Sequence, residues 1–146
     1  MKFLTVILTT ALFLISSQAY SRDSKIMFSI EEAFASDDFK EKLDPDVQFF
    51  FGDQQYPKSA DSLGTFASNK KTNAFGKSDE KACRWVFLSA LISLQERVKN
   101  EGGNAVVNIV SYYKKNVVSS ETEFECHAGN IMAGVALQGK VVKLAK

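Results

Sequence analysis

The chain has 146 residues, 18 Lys and Arg against 17 Asp and Glu, and 45% hydrophobic residues. Near-neutral charge argues against nucleic acid or anionic lipid as the main partner. Twelve phenylalanines and two prolines fit a packed domain, not a disordered chain.

The first segment is a lone Lys2, then FLTVILTTALFLIS, then SSQAYS. One positive charge, a short apolar run and small residues at a cleavage point predict a secretory signal peptide over 1–21. Ser17 and Ala19 suit cleavage before Tyr20; Ala19 and Ser21 suit cleavage before Arg22, which starts the polar chain at once. An uncleaved anchor is the alternative, but the apolar run is short for a membrane span. No cysteine near either site offers an acceptor for an N-terminal lipid. The expectation is therefore a periplasmic or secreted protein with no stable membrane anchor. Residues 22–146, roughly 125 residues, suffice for a single domain.

IMFSI (26–30) reads as a short strand. Ser36-Asp37-Asp38 before FKEKL reads as a capped short helix, stopped by Asp44-Pro45. VQFFF (47–51) is a strand whose aromatics suggest burial on both faces. GDQQYPKS (52–59) is a loop, and 60–68 adds a further strand. SNKKTNAFGK (68–77) is a basic, polar stretch that reads as a solvated loop. It is also the candidate recognition surface, through Lys70, Lys71, Asn73 and Lys77.

A long helix is predicted over 78–101. Cys83, Phe87, Ala90, Leu91, Leu94 and Val98 fall on one helical face, and Trp85, Leu88 and Ile92 widen it. Gly102-Gly103 ends it. NAVVNIVSYY (104–113), TEFECHA (122–128) and NIMAGVALQGKVVKL (130–144) are strands, with KKNVVSSE as a turn or flared hairpin tip. Gly134 marks a bulge or a close backbone approach. A helix followed by three antiparallel strands predicts an α+β, two-layer sandwich: an antiparallel sheet covered by the long helix, plus a short N-terminal helix.

Cys83 in the helix and Cys126 in a strand under it point to one disulfide, worth about 4 kcal/mol by loop entropy. Two buried thiols and a redox pair are the alternatives, the latter without a C-x-x-C. His127, the one histidine, is expected to face solvent or a hydrogen-bond partner. It points away from Cys126 along a strand, and the chain lacks zinc-type spacing. A Cys–His nucleophile would need a free thiol. Asp53, Glu121, Glu123 and Glu125 offer carboxylates, but the last three alternate along a strand and read as one solvated face. Tyr112 and Tyr113 at a strand end read as one core and one solvent side chain, or as an aromatic binding patch. Gly76-Lys77-Ser78 before a helix matches the end of a phosphate loop. The glycine that such a loop needs five residues earlier is Lys71, so it reads as a helix cap. No catalytic group, metal or cofactor is expected.

From SDEKACRWVFLSALISLQERVKNEGGNAVVNIVSYYKK through ECHAGNIMAGVALQGKVVKL the chain resembles a family of small exported bacterial proteins of unknown function. Some members carry the label "excinuclease ATPase subunit". That label implies nucleotide binding and DNA repair; the incomplete glycine loop and the leader support neither. More distantly, the helix, GGNAVVNI and the GVAL strand resemble the YbjQ-type domain. They also resemble the periplasmic domain of the lipoprotein that senses envelope stress for the Rcs phosphorelay. That resemblance covers about half of the chain and implies a compact, disulfide-stabilised α+β sandwich. Together these readings predict a non-enzymatic protein that binds a protein partner in the envelope. The alternative is a small ligand carrier or hydrolase.

Overall fold

The computed structural model describes residues 22–57 and 59–145. The predicted leader over 1–21 and its cleavage sites lie outside the described residues. Among the described residues the architecture is α+β, with three α-helices and a curled, mixed six-stranded sheet.

The chain opens with strand β1 (Ser24–Ser29) and turns directly into helix α1 (Ile30–Ala35). Ser29 caps α1, its hydroxyl accepting from Glu32 N at 3.2 Å. The strand expected over 26–30 therefore stops at Ser29 and gives way to a helix, for which Ser29-x-x-Glu32 is a capping signature. Helix α2 (Asp37–Lys42) follows as expected, but Ser36 does not cap it. Its hydroxyl instead donates back to Ala33 O at 2.6 Å.

Strand β2 (Gln48–Phe51) does divide its aromatics: Phe49 packs on the main core, Phe50 on a smaller cluster beyond the sheet. Strand β3 (Ser59–Asn73) is longer than the strand expected over 60–68 and absorbs most of the loop expected over 68–77. Only Ala74–Lys77 turn, with Lys77 N donating to Ala74 O. Polar composition is a poor guide here: Ser68 to Asn73 pair with β6 at a sheet edge, where Asn69, Lys70, Lys71 and Asn73 stay exposed; Ser68 is the exception, buried with its hydroxyl unpartnered.

Helix α3 (Asp79–Glu101) matches its prediction within a residue. Ser78 accepts from Lys81 N at 3.1 Å. Gly102 closes it with φ +76°, the left-handed conformation that glycine adopts without strain. The predicted apolar face is buried throughout, Leu88 with it, but Trp85 stays 45% exposed.

Strands β4 (Ala105–Ser111), β5 (Glu123–Ala128) and β6 (Met132–Leu144) complete the sheet. They do not form a meander. β5 and β4 pair with successive stretches of one edge of β6, at Ala133–Gly134 and at Leu137–Val142, and β3 takes the other edge. β5 meets β6 over two residue pairs only, His127 with Gly134 and Ala128 with Ala133. The chain leaves β4 through a 3-10 turn (Tyr113–Lys115) with left-handed Lys114 and Lys115 and folds back far enough for Ser111 and Val118 to exchange hydrogen bonds (2.9 and 3.1 Å), a flared tip that β5 does not extend into a hairpin with β4.

Nor is the sheet wholly antiparallel. β2 and β4 run parallel, which the intervening β3 and α3 permit as a crossover. A bulge at Asn108, φ +51°, shifts the β4 register between Val107 and Val110 and keeps both Val106 and Ile109 in the main core. Gly134 is regularly paired, with ordinary space for a Cβ. The tightest approach is at Gly139, where a Cβ would collide with Val106 Cγ1.

α3 packs across β3, β6, β5 and β4. Two contacts fix it to β5. Cys83 and Cys126 form a disulfide with Cα atoms 5.8 Å apart. One helical turn on, Phe87 stacks on Phe124, ring centroids 3.9 Å apart and 7° from parallel. Cys83 and Phe87 share a helix face, and Phe124 and Cys126 share a strand face, so crosslink and stack are neighbouring rungs. The crosslink closes a 43-residue separation. Loop entropy assigns it about 4 kcal/mol. The Cys83→Ala/Cys126→Ala variant is expected to lose 2–5 kcal/mol in urea denaturation, as roughly expected for a native crosslink of a small domain. An unchanged midpoint would mean that the packing alone holds α3 in place.

Candidate functional site

Alternation along β5 sends Phe124, Cys126 and Ala128 into the core and leaves Glu123, Glu125 and His127 for the other side. Glu121 and Glu123 are exposed as expected, but Glu125 is not: it is 5% exposed. The reason is the short β5–β6 pairing. Where β5 leaves β6, Ser111 at the end of β4 fills in and donates to Glu125 Oε2 at 2.7 Å.

Glu125 Oε1 sits 2.7 Å from His127 Nε2 and 3.9 Å from Lys25 Nζ on β1. Burial pushes the Glu125 carboxyl up. The Ser111 and His127 hydrogen bonds and the Lys25 and His127 charges outweigh that and hold it below the usual carboxylate range.

The other ring nitrogen of His127, Nδ1, faces Asp23 Oδ1 at 3.4 Å. A neutral imidazole carries one N–H, so its tautomer decides which carboxylate it serves; an imidazolium donates to both. Tyr113 stacks on the ring at 3.5 Å and 10°, its hydroxyl 3.4 Å from Asp23 Oδ2. Burial, then the Asp23 charge and hydrogen bond, raise the Tyr113 hydroxyl above its ordinary value. The two carboxylates lie on opposite ring nitrogens, and among the described residues no group of three or more His, Cys, Asp or Glu is arranged to hold a metal ion.

This cluster borders an open cavity of about 480 Å³ at the end of the sheet, lined also by Lys71, Ile131 and Met132. Arg22 closes one side. Its guanidinium makes a two-point ion pair with Asp79 in the first turn of α3 (2.9 and 2.8 Å) and donates to Gly129 O at 3.0 Å. The Arg22 hydrogen bond holds the Asp79 carboxyl below its usual range.

The sequence-derived candidates are only partly gathered here. Lys71 and Tyr113 reach the cavity. Lys70 is exposed on the same strand. Asn73 folds onto its own turn, its Oδ1 accepting from Phe75 N at 2.8 Å. Lys77 donates to Asn73 O and lines a separate cavity of about 580 Å³ beside Trp85. Tyr112 and Tyr113 are both half-buried, instead of one in the core and one in solvent. Ser111, Glu125, Asp23 and Arg22 had no motif to announce them; only the strand pairing brings them together.

No family model matches the chain, and no curated protein does.

A depressed carboxyl stabilises the fold above its unfolded value, near 4.5 for glutamate, and that contribution is lost as pH falls through the lower folded value. Urea denaturation at stepped pH is expected to show this acid limb. Glu125→Gln should flatten it and lower stability at neutral pH by about 1–3 kcal/mol. An acid limb identical in the variant would remove Glu125 from the account.

Proposed function

We propose that this chain is an exported, disulfide-stabilised protein that acts without catalysis by binding another protein of the envelope or extracellular space. Export rests on the leader pattern. The disulfide agrees with it, since such crosslinks persist in oxidising compartments. No helix among the described residues is long and apolar enough to cross a membrane. The resemblance to small exported bacterial proteins points the same way.

One observation carries the binding reading. The turns at 74–77 and 129–131 lie side by side, joined by Ala74 N donating to Ile131 O at 2.6 Å. They leave Phe75, Ile131 and Met132 exposed at 75%, 64% and 45% on one end of the sheet. Clustered exposed apolar side chains beside charged groups mark contact surfaces more than scattered ones do. Lys71, Tyr113 and His127 border this patch through the cavity.

The cavity beside His127 favours a second reading, a small-ligand carrier or hydrolase. Ser111 is buried and spends its proton on Glu125, so it is poorly placed as a nucleophile.

In-cell crosslinking of the exported protein tests the reading. Phe75→Ser/Ile131→Ser is expected to remove the dominant crosslinked species while shifting stability by less than about 1 kcal/mol, since both side chains are exposed. An unchanged capture pattern would exclude this patch as the contact.

A further inference from the structure

β3 is an edge strand: β6 is its only strand partner among the described residues. From Gly64 to Asn73 its register runs without a shift. The phase of its hydrogen bonding is fixed at the far end, where Ala74 donates to Ile131 O. Antiparallel alternation carries that phase back along the strand. Even-numbered residues exchange bonds with β6; Thr65, Ala67, Asn69 and Lys71 turn their N–H and C=O groups outward. Two observations agree. Lys70 O lies on the β6 side, 3.6 Å from where a Gly134 Cβ would stand. Asn73 O points outward and is taken by Lys77 Nζ. The four outward residues are exposed, and no hydrogen bond to another element among the described residues occupies their backbone groups.

The edge is also charged in one sense. Residues 62–78 contain Lys70, Lys71 and Lys77 and no carboxylate. Pleat alternation places Lys70 on the α3 face, opposite core Val135, and Lys71 on the cavity face, opposite Gly134. Neither holds an ion pair among the described residues. The nearby acids are already engaged, Asp79 by Arg22 and Glu80 by Arg84. Lysines on an edge keep identical edges apart, which disfavours a second copy of this chain as the occupant.

We infer that the free edge of β3 accepts an extended acidic segment of another protein as an added strand, with adjacent carboxylates meeting Lys70 and Lys71 on the two faces. Backbone pairing with Thr65 to Lys71 supplies the register, and the two lysines supply the selection. An apolar residue beyond the acidic pair reaches Phe75 and Ile131, where the strand ends. The inference rests on the binding reading above and adds the pose and chemistry of the partner.

Amide chemical shifts of the mature protein, titrated with a short synthetic peptide of valines and threonines around a central Glu-Glu pair, test it. Shifts at Thr65, Ala67, Asn69 and Lys71 are expected. Lys70→Glu/Lys71→Glu should weaken binding by at least about tenfold, as should N-methylation of alternate peptide amides, and a Lys-Lys peptide should not bind. No shift along β3 at millimolar peptide, or equal binding of the N-methylated peptide, would overturn the inference. If β3 stays silent while Phe75→Ser/Ile131→Ser still abolishes the crosslink, the edge inference falls and the binding reading stands. If the peptide pairs with β3 while the crosslinks persist in that variant, the reverse holds.

Discussion

The structure depends on α3 being held against β5. α3 also packs across β3, β6 and β4, but only at β5 is the contact covalent. The Cys83–Cys126 crosslink and the Phe87–Phe124 stack are adjacent rungs of one contact. The rest of the aromatic cluster, Phe34, Phe39 and Phe51, gathers around Phe87. Fixing β5 under the helix also fixes its opposite face, because strand side chains alternate. Cys126 anchored inward leaves Glu125 and His127 on the cavity side. The covalent constraint and the polar cluster are two faces of one short strand.

The polar cluster follows from a defect in the sheet. β5 stays with β6 for only two residue pairs. A longer ladder would have left Glu125 on a solvated face, in line with Glu121 and Glu123. The divergence instead draws in Ser111, and the buried carboxylate acquires a hydroxyl, an imidazole and an ammonium as partners. Burial of a charge is costly unless it is paired and hydrogen-bonded. Here the compensating groups come from three strands, so the cluster also ties β1, β4 and β5 together.

Much of the frame was legible in the sequence, and the reasons are local. Helix α3 declares itself by period, by the Ser78 cap and by Gly102, all short-range signals. The cysteine pair was inferred from one helix position and one strand position. What failed was long-range. The parallel β2–β4 pairing, the sharing of one β6 edge by β4 and β5, and the edge position of β3 are decided by tertiary packing. A polar run such as SNKKTN reads as a loop because edge strands need no apolar alternation on an exposed side. Glu125 was misplaced for the same reason: alternation names a face, and only the neighbouring strands decide whether that face is wet. Helix α1 is the exception, a local signal in Ser29-x-x-Glu32 that a preceding strand pattern masked.

The central claim is that a covalent bond between α3 and β5 fixes both the core and the site. Peptide mapping by mass spectrometry answers it most directly. The protein is taken from exporting cells, its free thiols are blocked before digestion, and no reductant is used. One linked peptide pair carrying Cys83 and Cys126, with neither cysteine blocked, is the expected result. Folded protein with both cysteines blocked as free thiols would contradict it and leave the orientation of α3 to packing alone.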